Sequence, residues 1–476
     1  MHDHVDVHVD VIVLVDVDVI GFFLHGLGQV VQPGLICRTR EISTFLRLGF
    51  NQETSSFMKI SAVQSFLLSY PLREPRRLPF HGGERTIVKR DAMLVRIEAD
   101  NGLVGYAPGP GSENAHRIIE RTVGPFLEGR ELNDIDALRT QFQAAPGADL
   151  ELAKVYCAVE VALYDLLGKE REMPVSELLG GRVRDRIQVY GSAGMYMAPE
   201  GYAAEAGRIA GMGFKAYKMR PALGPEQDLE AVRLMRQAVG PDMKLMVDAH
   251  SWWRMGDHSY DYSTVERLAR EMAGYGVFWL EEPITPDDHA GYRSLREKGY
   301  LPIASGEHEP SEEGYLDLLA SGSVDYVQMD VCCQGGYAMG QRIFTEIARR
   351  GVKFAFHSWG TALEVIAAAH LGVCWPATVV EWLEYPVYST DVVESMYEFP
   401  LASEILATPL RIEGSDLILP KLPGLGVEID ESVIARYPWV PGPWSFFRLF
   451  SPAGTWAVTS DHSIKWNSVT GAALPI

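Results

Sequence analysis

The sequence contains no Cys-x-x-Cys pair and only five cysteines, Cys37, Cys157, Cys332, Cys333 and Cys374, in 476 residues. An odd, scattered set excludes a disulfide framework and fits a reducing compartment, so a cytoplasmic protein is expected. Cys332 and Cys333 are adjacent and read as buried spectators rather than a redox pair. Cationic excess is also missing: 43 Lys and Arg stand against 63 Asp and Glu, a net charge of -20. Such a chain repels phosphate backbones and anionic lipid, which excludes nucleic acid and membrane as partners. An anionic small molecule would then need a metal or a local arginine to offset the field. There is no basic signal-peptide start, and Asp16 and Asp18 interrupt the early valine-rich stretch before it could span a bilayer. A glycine-rich phosphate loop is absent after the first strand of the alternating region, which argues against an open doubly wound sheet.

Hydrophobic residues make up 47% of the chain and charged residues 22%, enough apolar material for a full core. Residues 1–57 are of low complexity, with Val alternating with Asp or His from His2 to Val19. This segment is read as a non-native or mis-started extension, and Met58 as the start of ordinary globular sequence. Residues 58–182 are expected to form an α+β capping domain. It has strands at 59–71 and 92–99, an Asn101-Gly102 hairpin turn, a basic Pro/Gly-containing loop from Arg73 to Arg90, and helices near 114–126, 132–143 and 152–170. Residues 183–390 switch to strict strand–helix alternation. Strands are expected at 187–193, 216–220, 244–250, 277–282, 302–307, 326–330, 353–358 and 379–384, with helices such as 225–239, 263–274 and 335–350 between them. Eight such units predict a closed (β/α)₈ barrel of the TIM type. Residues 391–440, including the β-rich Leu417 to Ile429, are expected to return to the cap, and 441–476 form an aromatic-rich tail with no assignment.

Polar residues fall at the ends of the barrel strands, where barrel active sites lie. Asp248 ends KLMVD, Glu281 ends VFWLE and Glu307 ends PIASGE. Three converging carboxylates repel one another unless a divalent cation neutralises them, and oxygen-only ligation favours Mg²⁺. Lys218 and Arg220 sit two apart on one strand and so face the same way. Asp330 and His357 end the sixth and seventh strands, an arrangement suited to a carboxylate-supported general acid/base. Glu384 ends the eighth strand and could, if protonated, donate a hydrogen bond to oxyanion charge. His250 follows Asp248 by two residues and faces inward. Arg220 should lower the pKa of Lys218, which would help Lys218 act as a base.

The order of these motifs resembles the enolase superfamily, specifically its mandelate racemase subgroup of acid-sugar dehydratases and racemases. The match runs through VEVALYDLLGKEREMPVSELLGG at 159–181, GFKAYKMR, VDAH, WLEEP, GEH, the Asp330 segment, FHSW, EWLE and the late PGLGVEI. The resemblance implies a homo-oligomer, three metal ligands in Asp248, Glu281 and Glu307, a dyad in Asp330 and His357, and an oxyanion-stabilising Glu384. Lys218 and Arg220 match the K-x-K motif, but Arg220 replaces its second, basic lysine. Arginine stays protonated and is a poor base, so two-base racemisation is disfavoured and a carboxylate-gripping role is expected. His250 resembles a D-x-H variant of sugar-acid dehydratases.

The resulting expectation is a Mg²⁺-dependent lyase that removes the α-proton of a hydroxy acid, a sugar acid by this reading, and eliminates water to give a 2-keto-3-deoxy acid. A racemase or epimerase on the same fold is the first alternative, and a non-catalytic sugar-acid-binding barrel the second. Arg76, Arg77 and His81 in the basic loop, and Trp359 after the seventh strand, are expected to contact substrate. Trp252 and Trp253 could wall the same pocket.

Overall fold

The structure is a computed structural model, and it describes residues 57–221, 223–250, 258–388, 396–450 and 456–460. Trp252 and Trp253 therefore lie outside the described residues, as do residues 1–56.

Two long strands begin the cap. β1 (Ile60–Phe80) and β2 (Gly83–Ala99) pair antiparallel around a turn at His81 and Gly82, and β3 (Val104–Gly109) follows β2 through the turn at Gly102, whose φ is 83°. The basic stretch from Arg73 to Arg90 is thus a paired hairpin arm rather than a loop. Its prolines suggested a loop, but the strand absorbs them at a register shift between Pro71 and Arg76, the kind of irregularity where proline is tolerated. The tail supplies a further strand, β14 (Ser445–Phe450), which pairs with Gly83 to Ile87 of β2; β15 (Trp456–Ser460) pairs with β14. The helix Leu150–Glu170 carries the expected 3.6-residue apolar pattern, and the Asp149 side chain caps it by accepting from the Leu152 amide at 2.9 Å. Its buried Asp165 accepts from the Tyr106 amide at 2.8 Å and the Leu425 amide at 2.7 Å. One side chain therefore ties β3, the helix and the returning chain together.

The barrel is built from β4 (Arg186–Met195), β5 (Ala216–Arg220), β6 (Lys244–Asp248), β7 (Val277–Glu281), β8 (Ile303–Ser305), β9 (Tyr326–Met329), β10 (Lys353–Phe356) and β11 (Val380–Pro386), all parallel, and β11 pairs with β4 to close it. Helices such as Pro225–Val239, Tyr262–Gly274 and Gly336–Arg350 lie between strands as the periodicity predicts. Of the expected β-rich return, only β12 (Ile412–Glu413) and β13 (Asp416–Ile418) form strands, and β13 runs antiparallel along β4. Among the described residues no helix is long and apolar enough to cross a membrane.

One buried layer fills the barrel, with one residue from each strand: Tyr190, Ala216, Met246, Trp279, Ala304, Tyr326, Ala355 and Trp382. Large and small residues mix around the ring, so the interior is packed rather than hollow. Because side chains alternate along a strand, the residue two positions on faces inward again, one layer nearer the strands' C-terminal ends. That next layer reads Ser192, Lys218, Asp248, Glu281, Gly306, Gln328, His357 and Glu384. The aromatic layer thus forms the floor of a polar one.

Candidate active site

Gly306 breaks the alternation on the fifth barrel strand. Its φ is 128°, and a Cβ there would stand 2.5 Å from the Gln328 carbonyl oxygen. Only glycine fits this conformation and this approach, and it lets the next residue, Glu307, join Asp248 and Glu281. Carboxylate oxygens of the three lie within 4.8 Å of one another. Among the described residues, neither oxygen of Asp248 nor Oε2 of Glu307 accepts a hydrogen bond of good geometry, although Arg220 Nε stands 3.0 Å from Asp248 Oδ2. Buried acceptors left open in this way, all oxygen, suit a hard divalent cation. The cluster fits such an ion.

Cations stand on one flank. Lys218, fully buried, places Nζ 2.6 Å from Glu281, 3.0 Å from Glu384 and 3.6 Å from Asp248. Arg220 reaches Asp248, Glu384 at 3.1 Å and the Ser192 hydroxyl at 3.1 Å. Burial opposes the charge on Lys218, but Glu281 and Glu384 outweigh it and raise its pKa. Arg220 does act to lower it, as expected, but three carboxylates face the amine and one guanidinium does not balance them. Glu384 also differs from expectation. Burial favours its neutral form, yet Lys218, His357 and Arg220 hold it down to about 2, and it accepts from the Ser358 amide at 3.2 Å. It is a carboxylate here, not a protonated donor. Burial pushes Glu281 up to about 8 against the pull of Lys218, a mark of the crowding among these acids.

On the opposite flank, His357 places Nε2 3.4 Å from Glu307 and Nδ1 3.6 Å from Asp330. Asp330 is held by its other oxygen, which accepts from the amides of Cys332 and Cys333 at 2.8 and 3.0 Å. The Asp330–His357 pair is a charge contact rather than a tight hydrogen bond. Burial opposes protonation of His357, but Glu307 and then Asp330 raise it to about 10. His250 has a positive φ of 47° and sets Nε2 3.2 Å from Asp248. The thiols of Cys332 and Cys333 are both pushed well up by burial; Cys332 is buried as expected, whereas Cys333 is half-buried and lines the cavity over this flank.

A cavity of about 260 Å³ opens over this flank, lined by Arg90, Glu307, Asp330, His357, Trp359 and Trp444 among others. Trp359 is where the sequence reading put it. Three expected substrate contacts are not brought to this cavity. Arg77 points to solvent from β1. Arg76 lines a separate cleft with Tyr397 and Glu398. His81, at the hairpin turn, packs edge-on against His258 and Tyr260, with ring centroids 5.3 and 5.8 Å away. Strand pairing turns the two arginines elsewhere, and the turn carries His81 away from the cavity. Residues that do line the cavity from the cap side include Arg90, which ends the expected basic loop but was not picked out as a contact, and Trp444, from the unassigned tail. A larger cavity of about 450 Å³, lined by Tyr70, Arg73, Tyr385 and Glu398, holds none of the acid cluster. Outside the three-carboxylate group, Glu282, with φ 41°, holds His308 at 2.7 Å.

Two family models match the chain. One, described as mandelate racemase / muconate lactonizing enzyme, N-terminal domain, covers residues 69–180; the other, described as enolase C-terminal domain-like, covers 201–433. L-rhamnonate dehydratase of Saccharopolyspora erythraea is 33% identical over 365 residues, 73% of this chain and 85% of that protein. D-galactarolactone cycloisomerase of Agrobacterium fabrum is 29% identical over 397 residues, 80% of this chain and 99% of its own length. The crystal structure of the 3,6-anhydro-D-galactonate cycloisomerase from Zobellia galactanivorans is similar with a TM-score of 0.68 at 30% identity, covering 80% of this chain and 99% of that one. The strand carrying Phe446 to Phe450 lies beyond both matched ranges.

Proposed function

Because this chain belongs to the mandelate racemase subgroup of the enolase superfamily, we propose that it is a Mg²⁺-dependent hydro-lyase acting on a hydroxy-acid sugar to give a 2-keto-3-deoxy acid. The observation that carries this reading is the asymmetry of the site. One flank holds cations locked in ion pairs, and the other holds a single histidine open to a cavity. Asp248, Glu281 and Glu307 would hold the metal, which when bound supplies the positive charge that lets a substrate carboxylate enter among three acids and carry the charge of α-deprotonation.

The chain's own groups do the rest. Arg220 and Lys218 keep Glu384 ionised and hold Asp248 in place, and both cations are tied up in these ion pairs and are not free to accept a proton. Glu307 is the largest charge holding His357 protonated; engagement of Glu307 by a cation would release the imidazole, with Asp330 left to orient it. Neutral His357 Nε2 then takes the α-proton, and the C–H electron pair moves toward the substrate carboxylate. The same imidazolium returns its proton to the β-hydroxyl as the Cβ–O bond breaks, so water leaves and an enol remains. The enol tautomerises to the 2-keto acid. His250 is the second candidate for proton transfer. Trp359 and the cap residues Arg90 and Trp444 wall the cavity.

A second reading has support from two relatives named as cycloisomerases, each matched along 99% of its own length. There the same α-proton removal would expel a ring oxygen in place of water. The experiment is incubation of the Mg²⁺-loaded protein with a panel of sugar acids and their lactones, read by assay for 2-keto acid and by proton NMR in deuterium oxide. Keto acid from an open-chain acid, abolished in His357→Asn, supports dehydration. Product from lactones alone selects cycloisomerisation. Solvent exchange of the α-proton with neither product would move the assignment to a racemase.

A further inference from the structure

The hairpin arm places one guanidinium in the reaction cavity. Arg90, on β2, is 9% exposed and lines the cavity with His357 and Glu307. Its Nη2 donates to the Trp359 carbonyl at 2.5 Å, and aromatic rings enclose it: Trp444 at 4.8 Å, Tyr397 at 5.6 Å and Phe399 at 5.7 Å from the guanidinium carbon. Among the described residues no carboxylate lies within ion-pair distance of Arg90, and its Nε has no hydrogen-bond partner. The acids around the cavity are otherwise engaged. Asp91 pairs with Lys89 at 3.0 Å, and Glu307 and Asp330 face His357; Glu364 feels Arg90 without reaching ion-pair distance, and burial pushes it up to about 8.

Tyr388 and Tyr397, with Glu364 farther off, support the charge from within the protein, but a buried arginine with no carboxylate in contact still leaves its fork open to an arriving anion. Its planar fork matches a carboxylate, and a neutral hydroxyl would leave the charge uncompensated. The cavity is compact, so the anion must belong to the molecule whose other end meets the acid cluster. We propose that Arg90 is the binding group for a second, distal carboxylate, and that the substrate is a dicarboxylic sugar acid rather than a monocarboxylic one. Trp444 positions Arg90 from the far side, and it comes from a strand region beyond the matched family ranges. This inference rests on the reading of the cavity as the reaction site but not on dehydration as its chemistry.

The test is calorimetric titration of the full-length, Mg²⁺-loaded protein with glucarate, galactarate and mannarate, each paired with its matching hexonate. At least one hexarate should bind about 10- to 100-fold more tightly than its hexonate, the worth of a charge-assisted pair. Arg90→Met should erase that preference by lowering hexarate affinity far more than hexonate affinity, and Arg90→Lys should keep part of it. A Tm and a far-UV circular dichroism spectrum matching the unmodified protein certify that the variant is folded. The inference is overturned if no hexarate is preferred by the unmodified protein, if the preference survives in Arg90→Met, or if hexarate and hexonate affinities fall together. Arg90-dependent hexarate binding without keto acid would sink the dehydratase reading and leave this one standing. Turnover of hexonates with no diacid preference would do the reverse.

Discussion

The Arg220 guanidinium lies over the Trp359 ring, 3.8 Å from its centroid. Between that ring and the contacts to Asp248, Glu384 and Ser192, the side chain has no freedom to act as a base. Its work is to balance two buried carboxylates. Arg220→Met removes the balance and should lower kcat/KM on the substrate identified by the panel by about 10²–10³, the usual cost of leaving buried charges unpaired. Arg220→Lys should recover part of it through charge alone. Steady-state kinetics of the two variants checks this; equal activity of Arg220→Met and the unmodified protein would remove Arg220 from the site's electrostatics.

The crowded acids make a second expectation. Glu281 is raised to about 8 by burial and Asp248 is raised as well, so the site without a cation stores unfavourable charge. Mg²⁺ should therefore stabilise the fold, by about 2.7 kcal/mol at one hundred times its Kd. Differential scanning calorimetry with and without MgCl₂ reads this as a rise in Tm, and a chelator should reverse it together with all activity. In Glu281→Gln the rise should shrink or vanish. An unmoved Tm at millimolar Mg²⁺ would contradict the metal assignment.

His370 gives a pH dependence of stability away from the site. Its Nδ1 accepts from the Ser176 amide at 3.1 Å, and its Nε2 faces the Leu425 carbonyl at 3.0 Å. This bridge joins the barrel helix Ala362–Gly372 to the cap and to the returning chain, and it requires a neutral ring. Burial lowers the pKa to about 4, below the ordinary histidine value near 6.5. The unfolded state therefore binds the extra proton first. The stability from this group is complete above pH ~6.5 and is lost as pH falls toward 4, on the order of 3 kcal/mol in all. Unfolding measured from pH 7 to pH 4 should show this slope, and His370→Gln should flatten it.

Much of this architecture was legible along the chain because its signals are local. The barrel strands are short, almost wholly buried apolar runs, and the polar residues of the site stand at or near their C-terminal ends. Asp248, Glu281, Lys218, His357 and Glu384 could be placed in that way. What stayed hidden depends on pairing between distant segments. Arg90 and Trp444 are 354 positions apart, and only the β2–β14 ladder brings them together. The hairpin arm was obscured by Pro71, Pro75 and Pro79, which argue for a loop until a partner strand accommodates them. The ionisation of Glu384 was hidden too, since it depends on how close Lys218 and Arg220 come, which spacing alone does not set.

Gly306 joins the local and the distant levels, and it supplies the last prediction. A period-two strand would turn Glu307 away from Asp248 and Glu281. The positive φ of Gly306 reverses that, and the Gln328 carbonyl fills the space a side chain would need. Gly306→Ala adds one methyl group and removes no charge or hydrogen-bonding atom. It should nonetheless weaken Mg²⁺ binding about tenfold or more and lower Tm, because the Cβ forces either the loop carrying Glu307 or the neighbouring strand to shift. Calorimetric titration with Mg²⁺ beside Gly322→Ala separates the two causes. Gly322 also has a positive φ, but only the tip of Arg296 lies near a Cβ there. Backbone strain alone would cost both variants stability; only the loss of Glu307 from the cluster would cost the first its metal.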